Sequence, residues 1–190
     1  MENLNNDQIE QAKDLLKRLT RLYGEKADLE IRLKDLSEKI KFEIADSCDL
    51  KNKQGEVQAS RVKWPLVMAA INDIYKRAPS KRGNKFELLV SEMEDYKQAL
   101  EDEDAVSEDL ISMLPPLLDE LDAYRGYFKD VLADASLLDQ DTIKAIEMIA
   151  KDKYKEMKVD RLIKAGYEPK EPKDNSELFE LKEQLTDMLV

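Results

Sequence analysis

The chain has 190 residues, of which 38% are charged and 42% hydrophobic, with only 5 Gly and 6 Pro. This balance favours one helix-rich domain, or two small ones, over a sandwich of short strands. Histidine is absent and Cys48 is the only cysteine, which excludes an intrachain disulfide and the usual zinc sites. Because Cys48 lies between Asp46 and Asp49, we expect a structural thiol and not a nucleophile.

Charge is distributed unevenly along the chain. The net charge is -11, but residues 1–49 carry -3, residues 50–86 carry +7, residues 87–142 carry -14 and residues 143–190 carry -1. No apolar run approaches the ~20 residues that cross a bilayer, and the N-terminus lacks the features of a signal peptide. The sequence therefore predicts a cytoplasmic protein that does not bind membranes, with segments suited to different partners.

The first predicted element is a single long helix from Asp7 to Asp46. Its apolar residues recur every three or four positions, with Lys26 at the one polar position, which is the pattern of a coiled coil. Asn6 or Asp7 is expected to cap the helix, with Glu10 completing a capping box. Such a stripe needs a partner helix, in this chain or in a second copy, and we expect a homo-oligomer, most simply a dimer. The stripe comprises Leu15, Leu19, Leu22, Leu29, Leu33, Leu36 and Ile40.

The following elements are also helical. Residues 48–60 are short of apolar side chains and are expected to form a loop; Trp64-Pro65 then begins a second helix that ends before Pro79. A third helix runs from about Lys85 to Leu100. Further segments are a short helix from Ser107 to Leu114, a kink or new start at Pro115-Pro116, a helix from Leu117 to Ala135, one from Thr142 to Ala165 capped by Asp139 or Asp141, and a last one from Ser176.

This order predicts an all-α protein, in which a long N-terminal coiled-coil helix precedes a multi-helix bundle. The predicted regions are a coiled-coil helix over residues 1–46, a basic helix-turn-helix-like segment with an acidic end over residues 47–104, and a helical region over residues 105–190. One hypothesis is that the last region is a degenerate copy of the first part, because apolar residues match at an offset of 88. The matches are Leu33 with Leu121, Leu36 with Tyr124, Ile40 with Phe128, Ile44 with Leu132, and Leu50 with Leu138.

The segment of charge +7 is the first candidate site. Flexible cations around a turn suit a phosphate backbone, and each neutralised phosphate makes the affinity more sensitive to salt. The alternative is a solvated basic loop that answers the acidic segment of the same molecule. The predicted contacts are Lys51, Lys53, Arg61, Lys63, Lys76, Arg77, Lys81, Arg82 and Lys85.

The acidic segment, residues 92–109, is the second candidate. It holds nine carboxylates and one cation, Lys97. Neither the spacing nor the glycine of a calcium-binding loop is present, so we predict no metal site and no cofactor. The segment is better suited to bind a basic protein, as a mimic of nucleic acid does. No Gly-rich phosphate loop, Gly-x-Ser-x-Gly elbow or metal triad is present, and we expect the protein not to be an enzyme.

Residues 19–100 resemble a small family of helical duplex-binding proteins, namely the late-transcription double-stranded-DNA-binding protein of T-even bacteriophages and, more distantly, the bacterial chromosome protein GapR. The shared features are Lys34-Asp35-Leu36, Ala45-Asp46, Asp49-Leu50-Lys51, the helix end Ile71 to Lys76, and Tyr96 to Leu100. The resemblance implies a dimer that holds duplex DNA through its phosphates, with Lys51, Lys53, Lys76 and Arg77 in the matching positions. The chain departs from the family by an insertion near residues 54–61, by its length and by its acidic middle.

Two functions follow as expectations. The first is a non-enzymatic, phage- or bacteria-type protein that binds duplex DNA through residues 50–86. The second is an acidic protein-binding module, such as a DNA mimic, an inhibitor of a basic protein or a viral structural subunit.

Overall fold

The computed structural model describes residues 3–76 and 90–168. Over these ranges the chain forms α-helices, one short 3-10 turn at Ala59–Arg61, and an isolated antiparallel bridge between Lys51 and Val57. The all-α class and the long N-terminal helix are confirmed. The helices are α1 (Asn6–Ser47), α2 (Trp64–Ile74), α3 (Val90–Glu101), α4 (Glu108–Ala133) and α5 (Gln140–Lys164).

The start of α1 lies one residue earlier than the sequence predicts. The Asn5 side chain accepts a hydrogen bond from the Gln8 backbone N–H at 2.8 Å, and the Gln8 side chain accepts one from the Asn5 N–H at 2.9 Å. This is a capping box, in which two backbone donors at the helix start are satisfied reciprocally. The cap is therefore Asn5 with Gln8, and the predicted cap at Asn6 or Asp7 with Glu10 is wrong.

Pro115 and Pro116 lie inside α4, which continues through them. Two prolines remove two backbone hydrogen bonds, so the sequence predicts a kink or a new helix there. Ile111 and Leu114 before the prolines and Leu117 and Leu118 after them all pack against one core. Burial on both sides offsets the lost hydrogen bonds, and the two predicted helices are one.

α2 and α5 begin and end where local chemistry predicts. Pro65 occupies the first turn of α2, where its missing N–H costs nothing. Asp139 caps α5 by accepting a hydrogen bond from the Thr142 N–H at 2.7 Å, and hydrogen bonds from the Thr142 side chain and from this N–H lower the Asp139 pKa. Gly166, with φ +92°, follows the end of α5. The predicted turn over residues 78–84 and the last helix from Ser176 lie outside the described residues.

The chain divides into two compact units, which we name the central unit, residues 32–119, and the terminal unit, residues 1–31 with residues 120–190. α1 and α4 each contribute residues to both. None of the helices in the described ranges has the length and apolar character that a membrane-spanning segment needs.

The core of the central unit combines the end of α1 with α2, α3 and the start of α4. Ile40, Ile44, Leu66, Ile71 and Leu114 are fully buried in it. In α3, the side chains that face this core are Tyr96, Ala99 and Leu100. The core is therefore closed by helices from four parts of the sequence.

The core of the terminal unit combines the start of α1 with the end of α4 and the start of α5. Leu19 and Ile146 are almost fully buried in it. The α1 stripe is thus divided between the two units. Helices of the same chain cover it, which is one of the two alternatives that the sequence leaves open, the other being a second copy. The homo-oligomer stays a prediction. Leu15, Leu19 and Leu22 lie in or against the terminal core, Leu33, Leu36 and Ile40 in or against the central core, and Leu29 is buried.

Candidate functional site

The loop after α1 presents Lys53 at the surface of the central unit. Asp49 adopts φ +56° where α1 ends, and the bridge between Lys51 and Val57 closes the loop. The Asn52 side chain accepts hydrogen bonds from the backbone N–H groups of Gln54 and Glu56, at 3.0 and 2.9 Å. These bonds hold the turn that contains Lys53 without engaging its ammonium group.

α2 carries cations at both ends. Arg61 and Lys63 precede its first turn, and Lys76 follows its last turn with φ +51°. An 11-residue helix is about 17 Å long, so the two groups are separated by roughly five base-pair rises of a duplex. Arg61, Lys63 and Lys76 are all exposed. The arrangement is a row along α2, not a compact cluster.

Two of the predicted phosphate contacts are ion-paired within the central unit. Lys63 Nζ lies 2.9 Å from a Glu92 carboxylate oxygen, and Lys51 Nζ lies 3.4 Å from Asp49. Within the described ranges, Lys53, Arg61 and Lys76 form no ion pair. Arg77, Lys81, Arg82 and Lys85 lie outside the described residues. Of the five predicted contacts that the structure describes in this segment, three are unengaged and two have a partly neutralised charge.

The aromatic side chains beside this row differ in exposure. Trp64 packs against the central core, with Lys41 Nζ 5.9 Å from its ring centroid. Tyr75 is exposed. Trp64 is therefore a core residue, whereas Tyr75 lies beside Lys76 at the surface.

The acidic segment begins on α3 and continues to the first turn of α4. Its carboxylates at positions 101–104 are exposed, and a hydrogen bond with Glu103, together with the Glu103 charge, raises the pKa of Glu108. The like charges of Glu103 and Glu108 are thus crowded at the surface, which is unfavourable for the free protein and favourable toward a cationic partner. Apart from these carboxylates, a second ion pair connects helices of this unit, since Lys97 Nζ lies 2.6 Å from Asp73.

Cys48 follows the last residue of α1. Burial and the nearby Asp95 charge raise the pKa of the Cys48 thiol, which keeps it protonated at neutral pH. Among the described residues, no group of three or more Asp, Glu, Cys or His side chains is arranged to hold a metal ion.

The terminal unit contains a groove that sequence reasoning missed. It has a volume of about 880 Å³ and runs between α1 and α4, with Glu147 of α5 also in its lining, and five of its eleven lining residues are charged. On α1 its lining residues follow helical spacing from Leu19 to Glu30, and on α4 from Leu121 to Leu132. Tyr23 and Phe128 meet in it with ring centroids 4.4 Å apart. The spacing was visible in the sequence, but it appeared there as an ordinary core stripe.

A polar network lies beside this groove. One Glu30 oxygen accepts a hydrogen bond from Tyr154 Oη at 2.5 Å, and the other accepts one from Lys158 Nζ at 2.5 Å. Lys26 Nζ lies 3.8 Å from Glu30, and its ammonium lies about 6 Å from the centroids of the Phe128 and Tyr154 rings. Burial and the Glu30 hydrogen bond raise the Tyr154 pKa. Lys26 therefore extends across aromatic rings toward a carboxylate, as its polar position in the stripe permits.

No protein-family model, curated protein or solved structure matches the chain.

Proposed function

We propose that the central unit binds duplex DNA through phosphate contacts from the loop after α1 and from both ends of α2. The observation that carries the proposal is that Lys53 in the loop after α1, and Arg61 and Lys76 at the two ends of α2, are exposed and unengaged among the described residues. Long cationic side chains of this kind contact phosphates without specifying sequence. We propose no catalysis and no cofactor, and a cytoplasmic setting in a bacterial or phage-infected cell.

Two further points support duplex DNA as the ligand. Residues 19–100 resemble, in sequence, a family of helical duplex-binding proteins. Four more cations, Arg77, Lys81, Arg82 and Lys85, follow Lys76 directly in the sequence. A row about 17 Å long on α2 suits consecutive phosphates, which are spaced 3.4 Å along the axis on each strand.

Salt dependence of duplex binding tests this proposal. Each phosphate contact contributes a slope of about -0.9 to log K against log[salt]. The triple substitution of Lys53, Arg61 and Lys76 by Gln should therefore weaken binding and reduce the slope by up to about 2.7. Fluorescence anisotropy with a labelled duplex measures both quantities. Absence of binding by the wild-type protein at low salt would refute the proposal.

A matched control is available in the terminal unit. Lys17, Lys129 and Lys144 are exposed, and their replacement by Gln changes the net charge by the same amount. If the loop and α2 make the contacts, this control should retain nearly the wild-type slope. An equal loss in both triple variants would mean that total charge, and not the proposed surface, determines binding.

A second candidate function is supported by the crowding of Glu103 and Glu108. We propose, as the alternative, that the exposed acidic segment binds a basic protein. Replacing Glu101, Glu103 and Asp104 by their amides should weaken binding of a polylysine probe if the segment is a binding surface. The same variant should tighten duplex binding if the segment screens the cations. These residues are suitable because they are exposed, whereas deleting the segment would remove the buried Tyr96 and Leu100.

A further inference from the structure

The aromatic groove of the terminal unit corresponds, by sequence offset, to a surface that is covered in the central unit. Its α4 lining residues Leu121, Tyr124, Phe128 and Leu132 lie 88 positions after Leu33, Leu36, Ile40 and Ile44 of α1. In the central unit Ile40 and Ile44 are fully buried, in a core to which α3 contributes Tyr96, Ala99 and Leu100. The terminal unit has the same type of helix surface, but the described residues leave a groove beside it.

The C-terminal part of the sequence carries an apolar stripe of the kind that α3 presents to the central core. Met93, Tyr96 and Leu100 of α3 have the spacing i, i+3, i+7, and Leu178, Leu181 and Leu185 have the same spacing. An apolar stripe with this spacing is typical of a helix that packs along one face.

We propose that residues 176–190 bind in the groove of the terminal unit of their own chain through this apolar stripe. The groove lining extends over 11 positions of α1, about 16 Å, and the stripe from Leu178 to Met188 is about 15 Å long as a helix. Helices commonly bind grooves of this kind through residues at i, i+3 and i+7.

The described end of the chain lies close enough for this contact. Near the end of α5, Arg161 pairs with Asp28 and Lys158 pairs with Glu30, and Glu30 lines the groove. Residues 169–175 connect this end to the segment and can span up to about 25 Å. A segment tethered this close has an effective concentration in the millimolar range, which favours binding within the chain over binding to a second copy.

Disulfide trapping in the full chain tests the proposal. In a Cys48→Ser background, Arg125→Cys on the groove wall is combined with Lys182→Cys or with Gln184→Cys, which flank the apolar stripe on either side. The control combines the same two tail substitutions with Lys144→Cys, which is exposed and does not line the groove. The control measures the effect of the tether alone.

At least one Arg125→Cys pair should form an intrachain disulfide about tenfold faster than its control, because docking adds to the tether's effective concentration. Adding Leu181→Asp and Leu185→Asp should reduce this rate to that of the control. Equal rates in the test and control pairs would overturn the proposal. A disulfide that joins two chains would also overturn it, since the occupant would then come from a second copy.

Discussion

The central and terminal units place similar helix surfaces in different surroundings. At the end of α1, Ile40 and Ile44 are completely buried in the central core. At the end of α4, the offset residues Phe128 and Leu132 border a groove with a volume of about 880 Å³. An apolar stripe therefore predicts which face of a helix is buried. It does not predict the segment that covers this face, because that segment lies far away in the sequence.

Both units use ion pairs between helices and also present exposed charges. In the terminal unit Arg18 pairs with Asp134 at 3.0 Å and Lys158 pairs with Glu30. In the central unit Lys63 pairs with Glu92 and Lys97 pairs with Asp73. Exposure alone therefore does not distinguish a binding surface in one unit from solvated lysines in the other, and the comparison of matched variants has to do so.

The largest expected effect tests the closed core of the central unit. Replacing the fully buried Ile40 by Ala should lower the free energy of unfolding by about 2–5 kcal/mol, because it removes apolar contacts and leaves a cavity. Urea denaturation followed by circular dichroism measures the change. The control is Leu137→Ala in the terminal unit, which is 51% exposed and should change stability by less than about 0.5 kcal/mol. Similar losses in both variants would contradict the assignment of the core.

A smaller effect depends on pH and tests the buried tyrosine of the terminal unit. Burial and a hydrogen bond to Glu25, at 3.0 Å, raise the pKa of Tyr124 to about 12. In the unfolded chain this hydroxyl ionises near pH 10, so the unfolded state loses its proton first. The stability contribution is complete below about pH 10 and is lost as the pH rises toward 12.

Denaturant midpoints measured between pH 9 and 12, at steps of about half a pH unit, give this loss of stability. Tyr124→Phe should reduce the loss of stability at alkaline pH. Part of the loss should remain, because the pKa values of Tyr23 and Tyr154 are also raised. Tyr127→Phe is the matched control, because Tyr127 is 49% exposed. Identical alkaline profiles for wild type and Tyr124→Phe would show that this hydroxyl does not contribute.

The smallest expected effect concerns the pair of Lys63 and Glu92. Since both side chains are partly exposed, Glu92→Gln should change stability by less than about 1 kcal/mol. The same substitution frees the Lys63 ammonium, and we expect tighter duplex binding with a salt slope steeper by up to about 0.9. Glu156→Gln on α5 makes the same charge change in the terminal unit and should leave the slope unchanged. A steeper slope in both variants would attribute the effect to net charge alone.

The sequence predicted the helices whose boundaries depend on local chemistry. Periodic apolar residues indicated α1, Pro65 indicated the start of α2, and Asp139 with Gly166 indicated the two ends of α5. The cap of α1 was misplaced by one residue because Asn5 and Asn6 are equally good capping residues. Only the reciprocal bonds of Asn5 with Gln8 distinguish them.

Other features depend on distant residues and were not predictable from local patterns. The continuity of α4 through its two prolines depends on the core that Leu114 and Leu117 share. The partner of Lys63 is Glu92 of the acidic segment, 29 positions away. The sequence allowed pairing between the basic and acidic segments as an alternative, but it could not identify which residues pair. The groove requires two stripes, one on α1 and one on α4, to lie side by side. Periodicity identifies each stripe but not their pairing.

Lysine labelling with and without duplex DNA tests the central claim most directly, because it uses the wild-type protein and compares both units at once. An amine-reactive reagent and mass spectrometry give the labelling rate of each lysine. The proposal predicts that duplex DNA slows the labelling of Lys53 and Lys76, while Lys17, Lys129 and Lys144 keep their rates. Protection of the terminal lysines instead, or no protection of Lys53 and Lys76 at saturating duplex, would contradict it.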